Sequence, residues 1–166
     1  MKTLSLVLAP VILAACGAAS AQDPVTPAAD QDALFHSKDP KLDANKQAVY
    51  HIFKDLLQAK HWELADKYLT KRYIQHNPNA KSGLDGVVYY FTQVMKVKPV
   101  PIPEHLSYGI VSVVAEGDLV TVAVSREQTD PTGKKYTTTW FDQYRMVDGK
   151  ADEHWDPATI APPPAK

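Results

Sequence analysis

The residues best suited to acid–base chemistry lie near the carboxyl end of the chain, around Asp148-Gly149. This pair is a strong signal for a two-residue hairpin turn, which fixes the register of the flanking strands if no bulge intervenes. Counting outward from the turn places Asp142 opposite Trp155. One face of the predicted hairpin then carries Trp140, Asp142, Tyr144, Glu153 and Trp155, and the other carries Phe141, Gln143, Arg145, Asp152, His154 and Asp156.

The face that carries the two indoles is expected to point into the protein, because aromatic side chains dominate protein cores. It places the carboxyl group of Asp142 among indoles and a phenol, where such a group is useful as a proton donor or acceptor. The same register puts His154 on the opposite face, so Asp142 and His154 are not expected to share a metal ion with His76. No His-Glu-x-x-His pattern occurs either, and the sequence therefore predicts no metal site.

The composition excludes several other functions. The formal net charge is −1 and no run of Lys or Arg occurs, so the electrostatic footprint of a nucleic-acid-binding protein is absent. Cys16 is the only cysteine and precedes the predicted domain, which excludes disulfides, thiolate nucleophiles and cysteine-ligated zinc from that domain. The phosphate-binding Gly-rich loops and the Gly-x-Ser-x-Gly motif are also missing.

The amino terminus has the pattern of a signal peptide, which predicts export. Lys2 gives a positive start, residues 4–15 are apolar, and small residues follow. This apolar stretch is shorter than the roughly 20 residues that a membrane helix needs. Cleavage after Ala21 would give a periplasmic or secreted protein. Cleavage at the lipobox-like Leu13-Ala14-Ala15-Cys16 would instead give a lipoprotein anchored to the outer membrane through a lipid on Cys16.

The rest of the chain has room for one domain, since a domain usually takes about 100–200 residues. Residues 22–42 are polar and rich in Pro and Ala, which predicts a flexible linker. The domain itself is expected over residues 43–158, and residues 159–166 form a Pro-rich tail.

Within the domain, helices are expected first and strands afterwards. Asp43 is the predicted N-cap of a helix whose apolar residues recur at one-sided spacing, namely Val49, Ile52, Phe53, Leu56 and Leu57. A second helix is expected from Trp62 to just before Tyr73, and a third from the capping-box pattern at Ser82 to about residue 96. Strands are predicted at 105–115, 119–128, 135–147 and 150–156. This order predicts an α+β fold with helices on one face of a curved antiparallel sheet.

Two ordered groups of residues carry a family resemblance. The first is Lys67-Tyr68-Leu69, then Tyr73-Ile74-Gln75-His76-Asn77-Pro78, followed by Gly83-Leu84-Asp85-Gly86. The second is Phe141-Asp142-Gln143-Tyr144-Arg145 followed by Asp148-Gly149-Lys150 and Glu153-His154-Trp155-Asp156. Together they resemble the SnoaL-like proteins of the nuclear transport factor 2-like superfamily, which are predicted to catalyse aldol condensations. The resemblance implies a cone-shaped α+β fold with a deep pocket between sheet and helices, often a homodimer through the outer face of the sheet.

The resemblance also implies a function. Polyketide cyclases of this family use an acidic residue as acid and base in an aldol closure, a role that falls on Asp142. His76 would donate a hydrogen bond to the developing enolate oxygen, and an aldol closure needs no cofactor. The substrate would be a small apolar or carbonyl-containing compound, which undergoes aldol condensation, cyclisation or isomerisation. The residues expected to bind it are Trp140, Tyr144, Glu153 and Trp155. The alternative is a non-catalytic module that holds a small ligand or a partner chain.

Overall fold

Helices cover one face of a curved five-stranded sheet in the computed structural model, which describes residues 22–160. The strands are β1 (Leu69–Gln75), β2 (Ile110–Glu116), β3 (Leu119–Thr129), β4 (Lys135–Val147) and β5 (Lys150–Trp155). They lie in the order β1-β5-β4-β3-β2, with β1 parallel to β5 and the other neighbours antiparallel. The predicted α+β class is confirmed.

The helices are short, and two of them continue into a π-helical turn. They are α1 (Pro40–His51), continued over Ile52–Gln58, α2 (Ala65–Tyr68), which follows a 3₁₀ turn at Trp62–Leu64, and α3 (Leu84–Tyr89), continued over Tyr90–Val94. A further 3₁₀ turn occupies Asp32–Phe35. Among the described residues, no helix has the length and apolar character needed to span a membrane.

Helix α1 begins before Asp43, the N-cap predicted from the sequence. Asp39 is the N-cap, and its carboxylate accepts the backbone N–H groups of Lys41 and Leu42. Pro40 occupies the first helical position, where its missing N–H costs nothing. Asp43 instead accepts the backbone N–H of Ser37 at 2.8 Å, which ties the helix to the segment before it.

The apolar stripe predicted for the first helix packs in the core. Val49, Ile52, Phe53 and Leu56 are each no more than 2% exposed. They belong to the same buried cluster as the inward-facing residues of β3, which are Val120, Val122 and Val124. Burying one such aliphatic or aromatic side chain contributes about 1.5–3 kcal/mol. The helix is therefore held on the sheet mainly by this stripe.

Residues Leu69–Gln75 form strand β1, whereas the sequence predicts the end of a helix there. The strand pairs in parallel with β5, with Leu69 beside Ala151 and Gln75 beside His154. Buried residues within it recur at Leu69 and Tyr73. A spacing of four residues fits one face of a helix and one face of a strand equally well, so periodicity cannot distinguish them. The segment forms a strand because its backbone pairs with that of β5, which is distant in sequence.

The third helix also departs from its prediction. It begins at Leu84 after Gly83, whose φ is 91°, and no side chain caps it. Ser82, predicted to open the helix as part of a capping box, uses its hydroxyl to accept the backbone N–H of Gln75 at 3.0 Å. Ser82 therefore fixes the end of β1 instead of the start of α3.

The residues before α1 pack against the sheet, which corrects the flexible linker predicted for residues 22–42. The side-chain oxygen of Gln31 accepts three backbone N–H groups, from Tyr108 at 3.1 Å, Gly109 at 3.1 Å and Ile110 at 2.9 Å. Phe35 is fully buried in the core. The segment lacks an apolar period because single side chains, and not a continuous face, attach it to the domain.

Gln31→Ala is expected to lower the free energy of unfolding by about 2–3 kcal/mol, because three N–H groups lose their acceptor at once. Urea denaturation of the variant and of Gln22→Ala would measure this. Gln22 is exposed on the same segment and serves as the matched control. Equal stabilities of the two variants would contradict the attachment of this segment through Gln31.

A β-bulge interrupts the final hairpin. Val147 lies opposite Lys150 as predicted, and Met146 lies opposite Ala151, but Arg145 lies opposite Glu153. Asp152 is therefore the extra residue on β5. Its buried carboxylate accepts the Thr70 hydroxyl at 2.7 Å and forms an ion pair with Arg72. The Arg72 guanidinium holds the pKa of Asp152 below its usual value.

The bulge corrects the predicted hairpin register. Beyond it, Tyr144 lies opposite His154, and Gln143 lies opposite Trp155. Every β5 residue after Asp152 consequently lies on the opposite face from the one predicted, because side chains alternate with a period of two. His154 faces the helices, whereas Glu153 and Trp155 face outward.

Two predictions concern residues outside the described range of 22–160. They are the signal peptide over residues 1–21, with lipidation of Cys16, and most of the Pro-rich tail. Export and membrane anchoring stay predictions.

Candidate active site

A cavity of about 510 Å³ lies between the helices and the inner face of the sheet. Aromatic side chains form part of its wall, and two of them, Trp62 and Phe91, stack with ring centroids 3.8 Å apart. Polar groups converge at the β4 and β5 side, where Asp142, His154 and Asp156 line the cavity. An apolar pocket with a few convergent polar groups is the usual form of a small-molecule site.

Asp142 lies on the inner face of β4 and is only 6% exposed. Its Oδ1 lies 3.0 Å from Nε2 of His154 and accepts a longer hydrogen bond of 3.4 Å from Nε1 of Trp140. None of these contacts involves Oδ2. Since no fully buried side-chain oxygen among the described residues lacks a partner, Oδ2 opens into the cavity. One carboxylate oxygen is thus anchored and the other is available to a ligand.

The orientation of His154 is fixed by Gln75. Nδ1 of His154 lies 2.8 Å from Oε1 of Gln75, which also accepts the backbone N–H of Asn77 at 3.1 Å. Because Oε1 is an acceptor, Nδ1 carries a hydrogen and donates it. Nε2 of His154 is thereby directed at Oδ1 of Asp142, and the contact between them anchors that carboxylate oxygen.

Asp156 lies on the other side of the imidazole, with its Oδ2 4.0 Å from Nδ1 of His154. It accepts hydrogen bonds from the Asn77 amide and the Ala158 backbone, both at 2.8 Å. The ligand atoms of Asp142, His154 and Asp156 lie within 4.8 Å of one another, so this trio could hold a metal ion. The register predicted from the sequence put Asp142 and His154 on opposite faces and so predicted no metal site. The bulge corrects this prediction, because it brings both side chains to the same face. The two carboxylates face different imidazole nitrogens, so one ion would require rearrangement of the trio.

Three phenol groups line the same cavity as the Asp142 carboxylate. Burial, and secondly the charge of Asp142, raise the pKa values of Tyr73 and Tyr144 well above the usual value. Burial also raises the pKa of Tyr108, although the charge of Arg126 opposes it. Within the described range no hydrogen bond involves their hydroxyls, which therefore open into the cavity. These phenols stay neutral and can donate hydrogen bonds to a ligand oxygen.

The structure brings together some of the predicted site residues and separates others. Trp140, Asp142 and Tyr144 line the cavity as predicted. His76, Glu153 and Trp155 lie instead on the outer side of the sheet, where His76 contacts Glu153 at 2.8 Å and stacks on Trp155 at 5.2 Å. His76 cannot reach a ligand bound beside Asp142 from that side, so its predicted catalytic role is corrected. The predicted substrate contacts of Glu153 and Trp155 are corrected for the same reason.

The cavity also contains residues that the sequence reasoning did not select, namely Tyr73, Gln75, Tyr108, Arg126, His154 and Asp156. His154 and Asp156 stand in the Glu-His-Trp-Asp motif and Gln75 in the motif before Asn77-Pro78, so the motifs contained the signal. Assigning His154 to the inner face required knowledge of the bulge.

The comparisons with known proteins agree with this fold. The family model described as a SnoaL-like domain matches residues 49–154. No protein with a curated description matches the chain. A protein assigned as a polyketide cyclase from Bacillus cereus ATCC 10987 is 20% identical with a TM-score of 0.52, and the match covers 84% of this chain and 87% of that one.

Two further solved structures are similar. A protein assigned as a SnoaL-like polyketide cyclase from Jannaschia sp. CCS1 is 15% identical over 74% of this chain and 91% of that one, with a TM-score of 0.51. An NTF2-like protein of unknown function from Burkholderia pseudomallei K96243 is 16% identical over 70% and 91%, also with a TM-score of 0.51. These likenesses confirm the predicted nuclear transport factor 2-like fold.

Proposed function

Because the chain belongs to the SnoaL-like domain family, we propose that it catalyses proton transfer on a small carbonyl compound, with Asp142 as the general acid and base. The reaction class is aldol condensation or cyclisation, or isomerisation through an enolate. The observation that carries the proposal is the open Oδ2 of a buried carboxylate, in a cavity that three neutral phenols also line.

The first step is enolate formation. Oδ2 of Asp142 takes a proton from the carbon next to the substrate carbonyl, and the electron pair of that C–H bond forms the enolate. The hydroxyls of Tyr73, Tyr108 and Tyr144, which line the same cavity, would donate hydrogen bonds to the enolate oxygen. Preorganised donors of this kind contribute a few kcal/mol in a site that excludes water. They take the role that the sequence assigned to His76.

The second step returns the proton. In an aldol closure the enolate carbon attacks a second carbonyl group, and the resulting alkoxide takes the proton from Asp142. In an isomerisation the proton returns to a different carbon. His154 holds Oδ1 and keeps Oδ2 directed at the substrate, and Gln75 fixes the imidazole in turn. Proton, bonds and charge balance with no cofactor.

Proton chemistry can be followed without knowledge of the product. We expect the purified protein in deuterated buffer to exchange C–H protons of some members of a panel of ketones and 1,3-dicarbonyl compounds, measured by NMR. Addition of EDTA is expected to leave the rate unchanged, because Asp142 needs no metal ion. Loss of exchange on chelation would favour the trio of Asp142, His154 and Asp156 as a metal site.

A non-catalytic binding module remains the second candidate, supported by the size and aromatic walls of the cavity. Binding of panel compounds without exchange of any C–H proton would favour it.

The homodimer predicted from the family resemblance also remains a proposal. The outer face of the sheet exposes Val114 (64%) and Phe141 (53%), which supports it.

A further inference from the structure

Arg126 places a positive charge in the cavity wall without a matching anion. It lies on β3 opposite Thr138, and its guanidinium carbon lies 4.4 Å above the ring centre of Trp140. Among residues 22–160 it forms no ion pair and no hydrogen bond. The chain has two other arginines, Arg72 and Arg145, and both are paired with carboxylates.

A partly buried guanidinium without a counterion is costly, so its presence in a cavity wall requires a reason. Stacking on the indole of Trp140 satisfies one face of the group and leaves its N–H edges free. Those edges match the two oxygens of a carboxylate, which a guanidinium binds through two parallel hydrogen bonds. A carboxylate on the ligand would therefore be the best partner for the free N–H groups of Arg126.

The indole of Trp140 connects this cation to the proton-transfer site. Its ring supports Arg126, and its Nε1 donates to Oδ1 of Asp142. Along the strands, Asp142 lies opposite Val122, four residues from Arg126, which corresponds to about 13 Å between backbone positions. Arg126 leans over the intervening Trp140, so the guanidinium lies over the face of the indole whose Nε1 edge contacts the Asp142 carboxylate.

The charges along the cavity favour an anion near Arg126. The Asp142 carboxylate is already held at Oδ1 by His154 and Trp140. The remaining carboxylate, Asp156, lies beyond His154 and is already held by Asn77 and the Ala158 backbone. One end of the cavity is thus positive, and the acid–base group lies between the two ends.

We propose that the ligand is a keto acid whose carboxylate pairs with Arg126, while the C–H next to its ketone lies at Oδ2 of Asp142. The carbon chain or ring between these two groups spans the indole of Trp140. This inference rests on the proposed function for the reacting carbon, but the anion site itself does not.

The test compares 4-oxo-4-phenylbutanoate with its neutral amide. Binding is measured by calorimetry, and exchange of the C–H next to the ketone is measured by NMR in deuterated buffer. We expect the acid to bind about 10- to 100-fold more tightly than the amide, as for a hydrogen bond to a charged group. Arg126→Gln should remove this preference without changing the affinity for the amide. Arg126→Lys should keep only part of it, because an ammonium group cannot form the two parallel bonds.

Lys135→Gln is the matched control, because it removes one positive charge from the exposed ion pair with Glu127, and it should keep the preference. Equal affinities of acid and amide for the parent protein, or no measurable binding of either, would overturn the anion site. So would a preference that survives in a folded Arg126→Gln variant. If the acid binds in an Arg126-dependent way but its C–H protons do not exchange, the anion site is supported and the proposed function is contradicted. Equally fast exchange of acid and amide would support the function and overturn the keto-acid assignment.

Discussion

Asp142→Asn is expected to lower the rate of C–H exchange, and kcat once a substrate is known, by about 10²- to 10⁴-fold. The amide of Asn has no lone pair basic enough to take a proton from carbon. It matches the carboxylate in size, and its NH₂ group can donate to Nε2 of His154, so the hydrogen bond that Asp142 makes at 3.0 Å can be replaced. The fold should therefore persist while the chemistry is lost.

The measurement combines the NMR exchange rate with circular dichroism and thermal melting of the same sample. His76→Gln gives the decisive comparison, because the sequence places His76 at the reacting oxygen and the structure places it on the outer side of the sheet. We expect His76→Gln to exchange at the parent rate. Retained exchange in a folded Asp142→Asn variant would refute the role of Asp142.

Phe53→Ala is expected to lower the free energy of unfolding by about 3–5 kcal/mol, because it leaves a cavity the size of a phenyl ring in a packed core. Phe53 is fully buried. Its ring centre lies 5.3 Å from that of Tyr108 and 6.3 Å from that of Tyr144, in edge-on contacts. It is also 6.3 Å from Phe35, which anchors the amino-terminal segment. The same side chain therefore supports both that segment and two phenols of the cavity.

Urea denaturation of Phe53→Ala would measure the loss. Lys67→Ala, at an exposed position on α2, is the control and should change stability by less than about 0.5 kcal/mol. If the positions of the phenol groups depend on packing against Phe53, the rate of C–H exchange should also fall in the variant, at urea concentrations where it is still folded. A loss below about 1 kcal/mol would mean that neighbouring side chains collapse into the space.

Local features of the sequence determined much of the fold. The one-sided apolar spacing of Val49, Ile52, Phe53 and Leu56 predicted a helix packed on a sheet, and these residues are buried. Asp148-Gly149 predicted the final turn, with Asp148 and Gly149 both at positive φ. The alternation along β4 placed Trp140, Asp142 and Tyr144 on one face correctly. Such features depend on residues within a few positions of one another, so a sequence read alone contains them.

The tertiary structure decided the rest, and above all the position of His154. Strand alternation has a period of two, so one extra residue at Asp152 reverses the face of every later side chain on β5. Two residues distant in sequence stabilise that bulge: Thr70 and Arg72 of β1 bind the Asp152 carboxylate. Strand β1 itself exists through its pairing with β5. Contacts between segments about 80 residues apart leave no local periodic pattern in the sequence. The contact between His154 and Asp142 could therefore be identified only from the tertiary structure.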